Sequence, residues 1–358
     1  MMKIGILTSG GDCPGLNAAL RGATTAIRER MPGAEIIGIE NGFSGLTEGH
    51  SRVLGHEDLS GLLTRGGTIL GTRRTPYKTA SLLAVEENDA AIAAMRDACN
   101  ALGLNCLLVL GGHGTHRTAL KLAQAGVNIL ALPKTIDNDV YGTDVSFGFQ
   151  TAVETATEQI DRLHTTAASH GRVMVIELMG HHAGWLALHA GLAGGANVIL
   201  LPEIPYSYET VSKAVSARAK AGKAFSIIVI AEGAMTQDEF RMAKEERAQQ
   251  RKKDGFSYIS LKLAEEITSR TGFETRAVIP GHILRGGTPC AFDRILATKM
   301  GVAAAKLIAE GCFGKTVALC NHDIVLNDLE VAAGKIKTVP LDDNMLNTAR
   351  YMGICLGV

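Results

Sequence analysis

The chain repeats one local pattern three times: an apolar, strand-like run ends in a glycine-rich or acidic turn, and a helical pattern follows. The apolar runs cover residues 3–8, 106–110 and 128–132. Strands that alternate with helices predict βαβ units and a mostly parallel sheet. Because the carboxyl ends of parallel strands meet at one edge, the three turns should lie together where α/β sheets bind ligands.

The pattern continues along the chain and predicts two domains. Further strands are predicted at residues 35–40, 173–178, 198–201, 225–231, 275–279 and 316–319, and helices at 90–102, 115–125 and from 149 to about 164–166. With 358 residues, the chain exceeds what a single core usually supports. We predict two Rossmann-like, three-layer α/β/α domains with mostly parallel sheets, formed by residues 1–140 with about 255–305, and by 141–254 with about 306–358.

Composition excludes several classes of partner. Lysine plus arginine and aspartate plus glutamate number 36 each, so no global field attracts nucleic acid or an acidic membrane. Seven dispersed cysteines without a CxxC pair indicate reduced thiols in a cytoplasm. Four glycines interrupt the apolar stretch 183–201, which therefore predicts a buried helix and strand rather than a membrane span. The charged run 242–254 predicts a solvated helix face.

Two of the turns have the composition of a phosphate cradle. Residues 9–17 (Ser-Gly-Gly-Asp-Cys-Pro-Gly-Leu-Asn) and 111–115 (Gly-Gly-His-Gly-Thr) each lead from a strand into a helix. Glycine lets backbone N–H groups approach an anion, and the helix N-terminus adds partial positive charge. Neither turn has the Walker A or GxGxxG spacing, so each also suits a tight strand-to-helix turn. The glycine-rich loop 66–76 contains Arg73 and Arg74, which suit bidentate phosphate contacts or a solvated surface.

The turn after the third strand, Pro-Lys-Thr-Ile-Asp-Asn-Asp at residues 133–139, carries the most reactive groups. Asp137 and Asp139 can accept a proton, while Lys134 and Thr135 can hold negative oxygens; alone, the segment also fits a solvated Asx-type turn. Other strand ends supply further charged groups, namely Arg74, Arg172, Arg276, His282, Arg285, Asp12 and Glu232. Several cations and glycine turns around a few carboxylates suit phosphoryl transfer, in which catalysis is mostly positioning and charge neutralisation.

Taken together, these motifs resemble the 6-phosphofructokinase family. The matching segments are residues 7–17, 66–74, 111–115, 133–139, 170–180, 231–233 and 274–287, in the order of the family. The resemblance implies the phosphofructokinase fold and transfer of a phosphoryl group, with Mg²⁺, to the 1-hydroxyl of fructose 6-phosphate. ATP is the expected donor, and pyrophosphate is the alternative.

The resemblance also implies roles for individual residues. Asp137 is expected to be the general base, with Thr135, Asp139, Lys134 and His181 as further catalytic residues. The residues expected to bind the donor are Gly11, Arg74, Thr75, Gly112, His113, Gly114 and Thr115. Those expected to bind the sugar phosphate are Thr135, Asp137, Arg172, Met179, Gly180, Glu232, Arg276, His282 and Arg285. In the family, Arg172 and Arg276 reach in from a neighbouring subunit, so a homotetramer or homodimer is implied.

Three positions depart from the family pattern. His113 stands where the family usually has an Asp that helps to hold Mg²⁺, and imidazole is a poor ligand for this hard cation, which leaves Asp139 as the expected protein ligand. His181 replaces a family Arg, and Lys134 would supply the missing charge. Gly114 leaves room for the α-phosphate of ATP, whereas Lys134 and Thr118 are also compatible with pyrophosphate.

Three hypotheses for the function therefore remain open at this point. The first is an ATP-dependent 6-phosphofructokinase, and the second is a pyrophosphate-dependent enzyme with the same acceptor. The third, motivated by His113 and His181, is a regulatory paralogue that binds a sugar phosphate without catalysis. Contacts with the terminal phosphate alone do not exclude a longer sugar phosphate, so sedoheptulose 7-phosphate is a further candidate acceptor.

Overall fold

A computed structural model describes residues 1–73 and 89–358 as strands, helices and connecting loops. The strands are β1 (Lys3–Thr8), β2 (Glu35–Ile39), β3 (Ser51–Val53), β4 (Cys106–Gly111), β5 (Ile129–Pro133), β6 (Val173–Leu178), β7 (Val198–Leu200), β8 (Ser226–Ala231), β9 (Thr275–Val278), β10 (Lys315–Cys320) and β11 (Asp323–Asp328). The helices are α1 (Leu16–Arg30), α2 (Gly42–Glu48), α3 (Asp89–Ala101), α4 (His113–Gln124), α5 (Phe149–His170), α6 (Trp185–Ala193), α7 (Tyr208–Lys220), α8 (Gln237–Arg241), α9 (Lys244–Asp254), α10 (Ile259–Thr271), α11 (Ala291–Ala309), α12 (Leu329–Gly334) and α13 (Asn344–Tyr351).

The chain forms two compact units, and the first contains residues 1–151 and 285–337. Its seven-stranded sheet has the order β11-β10-β5-β4-β1-β2-β3. The five central strands run parallel, while β3 and β11 pair antiparallel with their neighbours. Leu7, Val109 and Ala131 pack on one face of the sheet against residues of α3 and α4. Alternate strand residues face the other side, where α11 contacts β5 and β10, so this sheet is covered by helices on both faces.

The second unit contains residues 152–284 and 338–358. Its four-stranded sheet has the order β7-β8-β6-β9, and every neighbouring pair is parallel. Val175 and Ile228 pack with Val211 of α7 and with Leu263 and Ile267 of α10. Strands buried on both faces read as continuous apolar runs, which explains why sequence inspection locates them.

The boundaries of the predicted domains are wrong in three places. Strand β9 pairs with β6, so residues 255–284 belong to the second unit rather than the first. Strand β10 pairs with β5, and this places residues 306–337 in the first unit rather than the second. The start of the second unit moves from residue 141 to 152, because the loop before α5 bonds to the first sheet.

Two predicted elements also need correction. Helix α5 extends to His170 rather than ending near residues 164–166, because the buried Ala167 continues the apolar spacing by one more turn. The C-terminal part of the chain holds β11 in addition to β10, so the prediction of a single strand there is wrong. In the described parts of the chain, no helix is long and apolar enough to cross a membrane.

Candidate active site

The three predicted turns lie at one edge of the first sheet. β4 pairs in parallel register with both β1 and β5, so their carboxyl ends are adjacent. The turn after β1 carries Gly11, the turn after β4 carries Gly112 and His113, and the turn after β5 carries residues 134–139. The expectation that these segments share an edge is confirmed.

Lys134 connects two of these turns. Its side chain is buried, with 2% of the residue exposed, and its Nζ donates a hydrogen bond to the Gly11 carbonyl. Burial lowers the pKa of Lys134, and the positive Arg285 acts in the same direction, while Cys13, Asp137 and Asp12 oppose it. In its protonated form, Lys134 would be a preformed positive group for a negatively charged ligand.

Gly11 lies against Arg285, which is 274 residues further along the chain. A Cβ atom at Gly11 would stand 2.6 Å from Arg285 Nη1, so a side chain at this position would displace the Arg285 guanidinium. Arg285 is buried and donates from Nη1 to the Asp12 carbonyl at 3.0 Å. The structure thus places Arg285 in the first unit beside the Gly11 turn; its predicted contact with the sugar phosphate remains a prediction.

The acidic turn after β5 is ordered by its own side chains. The Asp137 N–H donates to Thr135 Oγ1 at 3.0 Å, and Asn138 adopts a left-handed φ of 53° between the two aspartates. Asp139 Oδ1 is buried and accepts no hydrogen bond from any residue in 1–73 or 89–358. Burial raises the pKa of Asp139, although Lys134, Lys337 and Arg285 favour its charged form. A carboxylate oxygen kept without a protein donor suits a ligand atom or a metal ion.

The turn after β4 opens α4. Gly112 is the residue before the helix, His113 begins it, and Thr115 lies buried in its first turn. The Thr118 hydroxyl bonds to the Gly114 carbonyl one turn earlier, at 3.4 Å, so this side chain is engaged within the helix.

His116 supports this turn and was missed by sequence reasoning. Its ring is fully buried, with Nδ1 3.0 Å from the Gly112 carbonyl and Nε2 3.0 Å from Thr316 Oγ1. Because a carbonyl only accepts, Nδ1 carries the proton and Nε2 accepts from the Thr316 hydroxyl. Burial lowers the pKa of His116 to about 4, so the ring is neutral at pH 7. Nothing in the local sequence marks this residue, because its partner Thr316 is 200 residues away.

The second unit carries another group of predicted residues after β6. Gly180 has a φ of 148°, and His181 follows with a left-handed φ of 51°. The His181 N–H donates to Glu232 Oε1 at 2.9 Å, which links the turn after β6 to the turn after β8. The His181 ring is exposed and lies 3.9 Å from the His182 ring, centroid to centroid. Partial burial lowers the pKa of His182, with smaller contributions in the same direction from His181 and two cations of α9.

Arg172 and Arg276 meet at one carboxylate in the second unit. Arg172 Nε lies 2.9 Å from Glu274 Oε2, and Arg276 Nη2 lies 2.6 Å from Glu274 Oε1. The pKa of Glu274 is lowered by its contacts with the positively charged Arg172 and Arg276. His282 lies exposed in a short 3₁₀ turn (Gly281–Arg285). Two predicted donor-binding residues, Arg74 and Thr75, lie outside the described residues.

The first unit thus combines glycine turns, a buried ammonium and two carboxylates at the carboxyl edge of a parallel sheet. The second unit adds a pair of arginines and a turn held by Glu232. These are the groups that phosphoryl-transfer enzymes use to bind phosphates and accept a proton. A family model described as "Phosphofructokinase" matches residues 3–308. The chain belongs to the phosphofructokinase family.

Relatives with either of two phosphoryl donors in their names match nearly the whole chain. An ATP-dependent 6-phosphofructokinase of Spirochaeta thermophila is 53% identical, covering 99% of this chain and 97% of that protein. A pyrophosphate–fructose 6-phosphate 1-phosphotransferase of Amycolatopsis methanolica is 48% identical, covering 95% and 96%. A solved phosphofructokinase of Pichia pastoris in the T-state is 30% identical with a TM-score of 0.80, covering 93% of this chain and 35% of that longer chain.

Proposed function

We propose that this protein transfers the terminal phosphoryl group of ATP to the 1-hydroxyl of fructose 6-phosphate, giving ADP and fructose 1,6-bisphosphate. The observation that carries the proposal is the buried Lys134, which ties the Gly11 turn to the acidic turn of Asp137 and Asp139. That arrangement offers a buried lysine and a carboxylate in one turn, held next to the Gly11 turn. The 53% identity to an ATP-dependent relative supports both the reaction and the donor.

In the proposed reaction, Asp137 accepts the proton of the 1-hydroxyl while the hydroxyl oxygen attacks the γ-phosphorus. The bond from that phosphorus to the β-phosphate oxygen breaks, and ADP leaves with the bonding electron pair. Lys134 stabilises the negative charge on the transferring group, the role that the family assigns to an Arg at the position of His181. Backbone N–H groups of the Gly11 and Gly112 turns bind the donor phosphates.

Asp139 is the residue that would hold Mg²⁺ in this enzyme. Its buried Oδ1 accepts no hydrogen bond within the described ranges, and a carboxylate oxygen is the ligand type that Mg²⁺ prefers. Those ranges contain no group of three or more His, Cys, Asp or Glu side chains able to hold a metal. This fits Mg²⁺, which is usually bound by one or two carboxylates together with substrate phosphates. When bound, the ion would neutralise charge on the donor phosphates.

The second unit is the proposed site of the sugar phosphate. Met179, Gly180 and Glu232 would hold the sugar, since Glu232 already orders the turn after β6. Arg172 and Arg276 would bind the 6-phosphate of a neighbouring subunit in a homotetramer or homodimer. Both are partly exposed, and a phosphate with two negative charges would compete with Glu274 for them.

Pyrophosphate is the second candidate donor. Lys134 matches the lysine of pyrophosphate enzymes, and a relative named for that donor is 48% identical. Gly114 favours ATP, because glycine leaves room for an α-phosphate and the pyrophosphate enzymes carry Asp there.

A coupled assay with fructose 6-phosphate and Mg²⁺ tests the proposal by comparing ATP with pyrophosphate at matched concentrations. We expect a clear rate with ATP, and Asp137→Asn should lower it at least about a hundredfold because the general base is lost. A rate with pyrophosphate alone would establish the second donor. No rate with either donor, together with measurable binding of fructose 6-phosphate, would refute catalysis and favour the regulatory reading.

A further inference from the structure

The chain after β11 returns to the loop that follows the acidic turn. Ile336 forms an antiparallel bridge with Val140, and the Lys337 N–H donates to the Asp139 carbonyl at 2.9 Å. The backbone of Asp139 is therefore fixed by a residue almost 200 positions further along the chain.

The side chain of Lys337 extends this contact to the other end of the same loop. Its Nζ donates to the Thr143 carbonyl at 2.8 Å and to the Asp144 carbonyl at 2.7 Å. Both bonds are charge-assisted, which makes each stronger than a bond between neutral groups. One residue thus holds the two ends of the loop 139–144 together.

The far end of that loop is also anchored to the β10–β11 hairpin. The Asp144 N–H donates to the Leu319 carbonyl at 2.8 Å, and the Leu319 N–H donates to Thr143 Oγ1 at 3.0 Å. Asn327 Nδ2 donates to the Gly142 carbonyl. These bonds fix residues 142–144 to the sheet. Because Lys337 bonds to residues 143 and 144 and also to the Asp139 carbonyl, it holds Asp139 at a fixed distance from them.

We propose that Lys337 is a positioning residue for phosphoryl transfer, which sets the place of the Asp139 carboxylate by joining the Asp139 backbone to the anchored residues 143–144. The proposal rests on the function proposed above. It gives a role to a C-terminal segment in which no motif is visible. Lys337 acts through Asp139, by way of its bonds to the Asp139, Thr143 and Asp144 carbonyls.

A double-mutant cycle tests this role with Lys337→Gln, Asp139→Asn and the double variant. Lys337→Gln should lower kcat about 10- to 100-fold, as expected for a misplaced catalytic group, and leave binding of fructose 6-phosphate without donor or metal within about twofold. In the Asp139→Asn background the same substitution should change kcat less than about threefold, because its effect passes through Asp139. Hydrogen exchange of residues 139–144 in the enzyme without metal should quicken in Lys337→Gln.

The matched control is Lys315→Met, which removes an exposed lysine paired with Asp328 on the same hairpin and should leave kcat and loop exchange unchanged. An equal loss from Lys337→Gln in both backgrounds would show a structural role only and would overturn the proposal, as would wild-type kcat in Lys337→Gln. If Lys337→Gln does not fold, the cycle is repeated with Lys337→Arg. An equal loss of kcat in both backgrounds, or wild-type kcat in Lys337→Arg, would again overturn the proposal. Absence of any wild-type rate would instead refute the proposed function.

Discussion

Replacing His116 by glutamine should make the stability of the first unit less sensitive to acid. The buried ring has a pKa lowered from 6.5 to about 4, chiefly by burial. Between these values, the unfolded chain binds a proton at this ring that the folded chain does not bind. The free energy of unfolding therefore falls as the pH drops below 6.5 and levels off below about 4.

The size of this effect follows from the two pKa values. Their difference corresponds to about 3.4 kcal/mol once both states are protonated, and about 2 kcal/mol of it is already lost at pH 5. At pH 8 the ring is neutral in both states, so His116→Gln loses only packing and hydrogen bonds there, which costs about 1–3 kcal/mol. The difference between wild type and variant should thus shrink by about 2 kcal/mol from pH 8 to pH 5.

Amide hydrogen exchange in β4 is the suitable measurement, because it reports the opening of the first unit even if the two units unfold separately. The opening free energies of wild type and His116→Gln are compared at both pH values after correction for intrinsic exchange. The control is His322→Gln, which replaces an exposed histidine in a turn of the same unit. It measures how a His-to-Gln substitution changes the opening free energy when the ring is not buried. A difference between wild type and His116→Gln that is the same at pH 8 and pH 5 would refute the reasoning.

Two further substitutions test the proposed roles of single residues. Lys134→Met should lower kcat at least about a hundredfold, because a preformed positive charge on the transferring group is lost; binding of fructose 6-phosphate measured without donor should stay within about twofold. Unchanged turnover would disprove that role. His113→Asp should lower the Mg²⁺ concentration needed for half-maximal rate by about tenfold, because it adds an oxygen ligand; a titration that matches wild type would show that this position does not contact the ion.

The sequence predicted most of the strands, because parallel strands buried on both faces are continuous apolar runs. It missed β11, in which every residue is half-buried or exposed and which begins with Asp323 and ends with Asn327 and Asp328. It also assigned β9 and β10 to the wrong units, because strand pairing over more than 100 residues leaves no local signal.

The turns of the site were predictable for a similar reason. Glycines, Lys134 and the two aspartates follow directly after recognisable strands, so the sequence predicted their place at the sheet edge, whereas their individual roles come from the resemblance to the family and stay predictions. His116 bonds to the Thr316 hydroxyl, and Lys337 bonds to the Thr143 and Asp144 carbonyls; these partners are distant in the sequence, and only the folded structure brings them together. The sites of Arg172 and Arg276 were predicted, but their shared ion pair with Glu274 was not.

The order of strands in the first sheet has a consequence for synthesis of the protein. β5 receives its neighbour β10 only after residues 152–284 of the second unit have been made, since Lys315 follows Pro133 by 182 residues. At ribosomal rates the growing polypeptide carries an open β5 edge for roughly 10 to 40 s. An open edge is a template for wrong pairing, so a nascent chain stalled in this interval is the species most prone to aggregate. Lys337 emerges later still, so the loop around Asp139 gains these bonds only after β10 and β11 have been made.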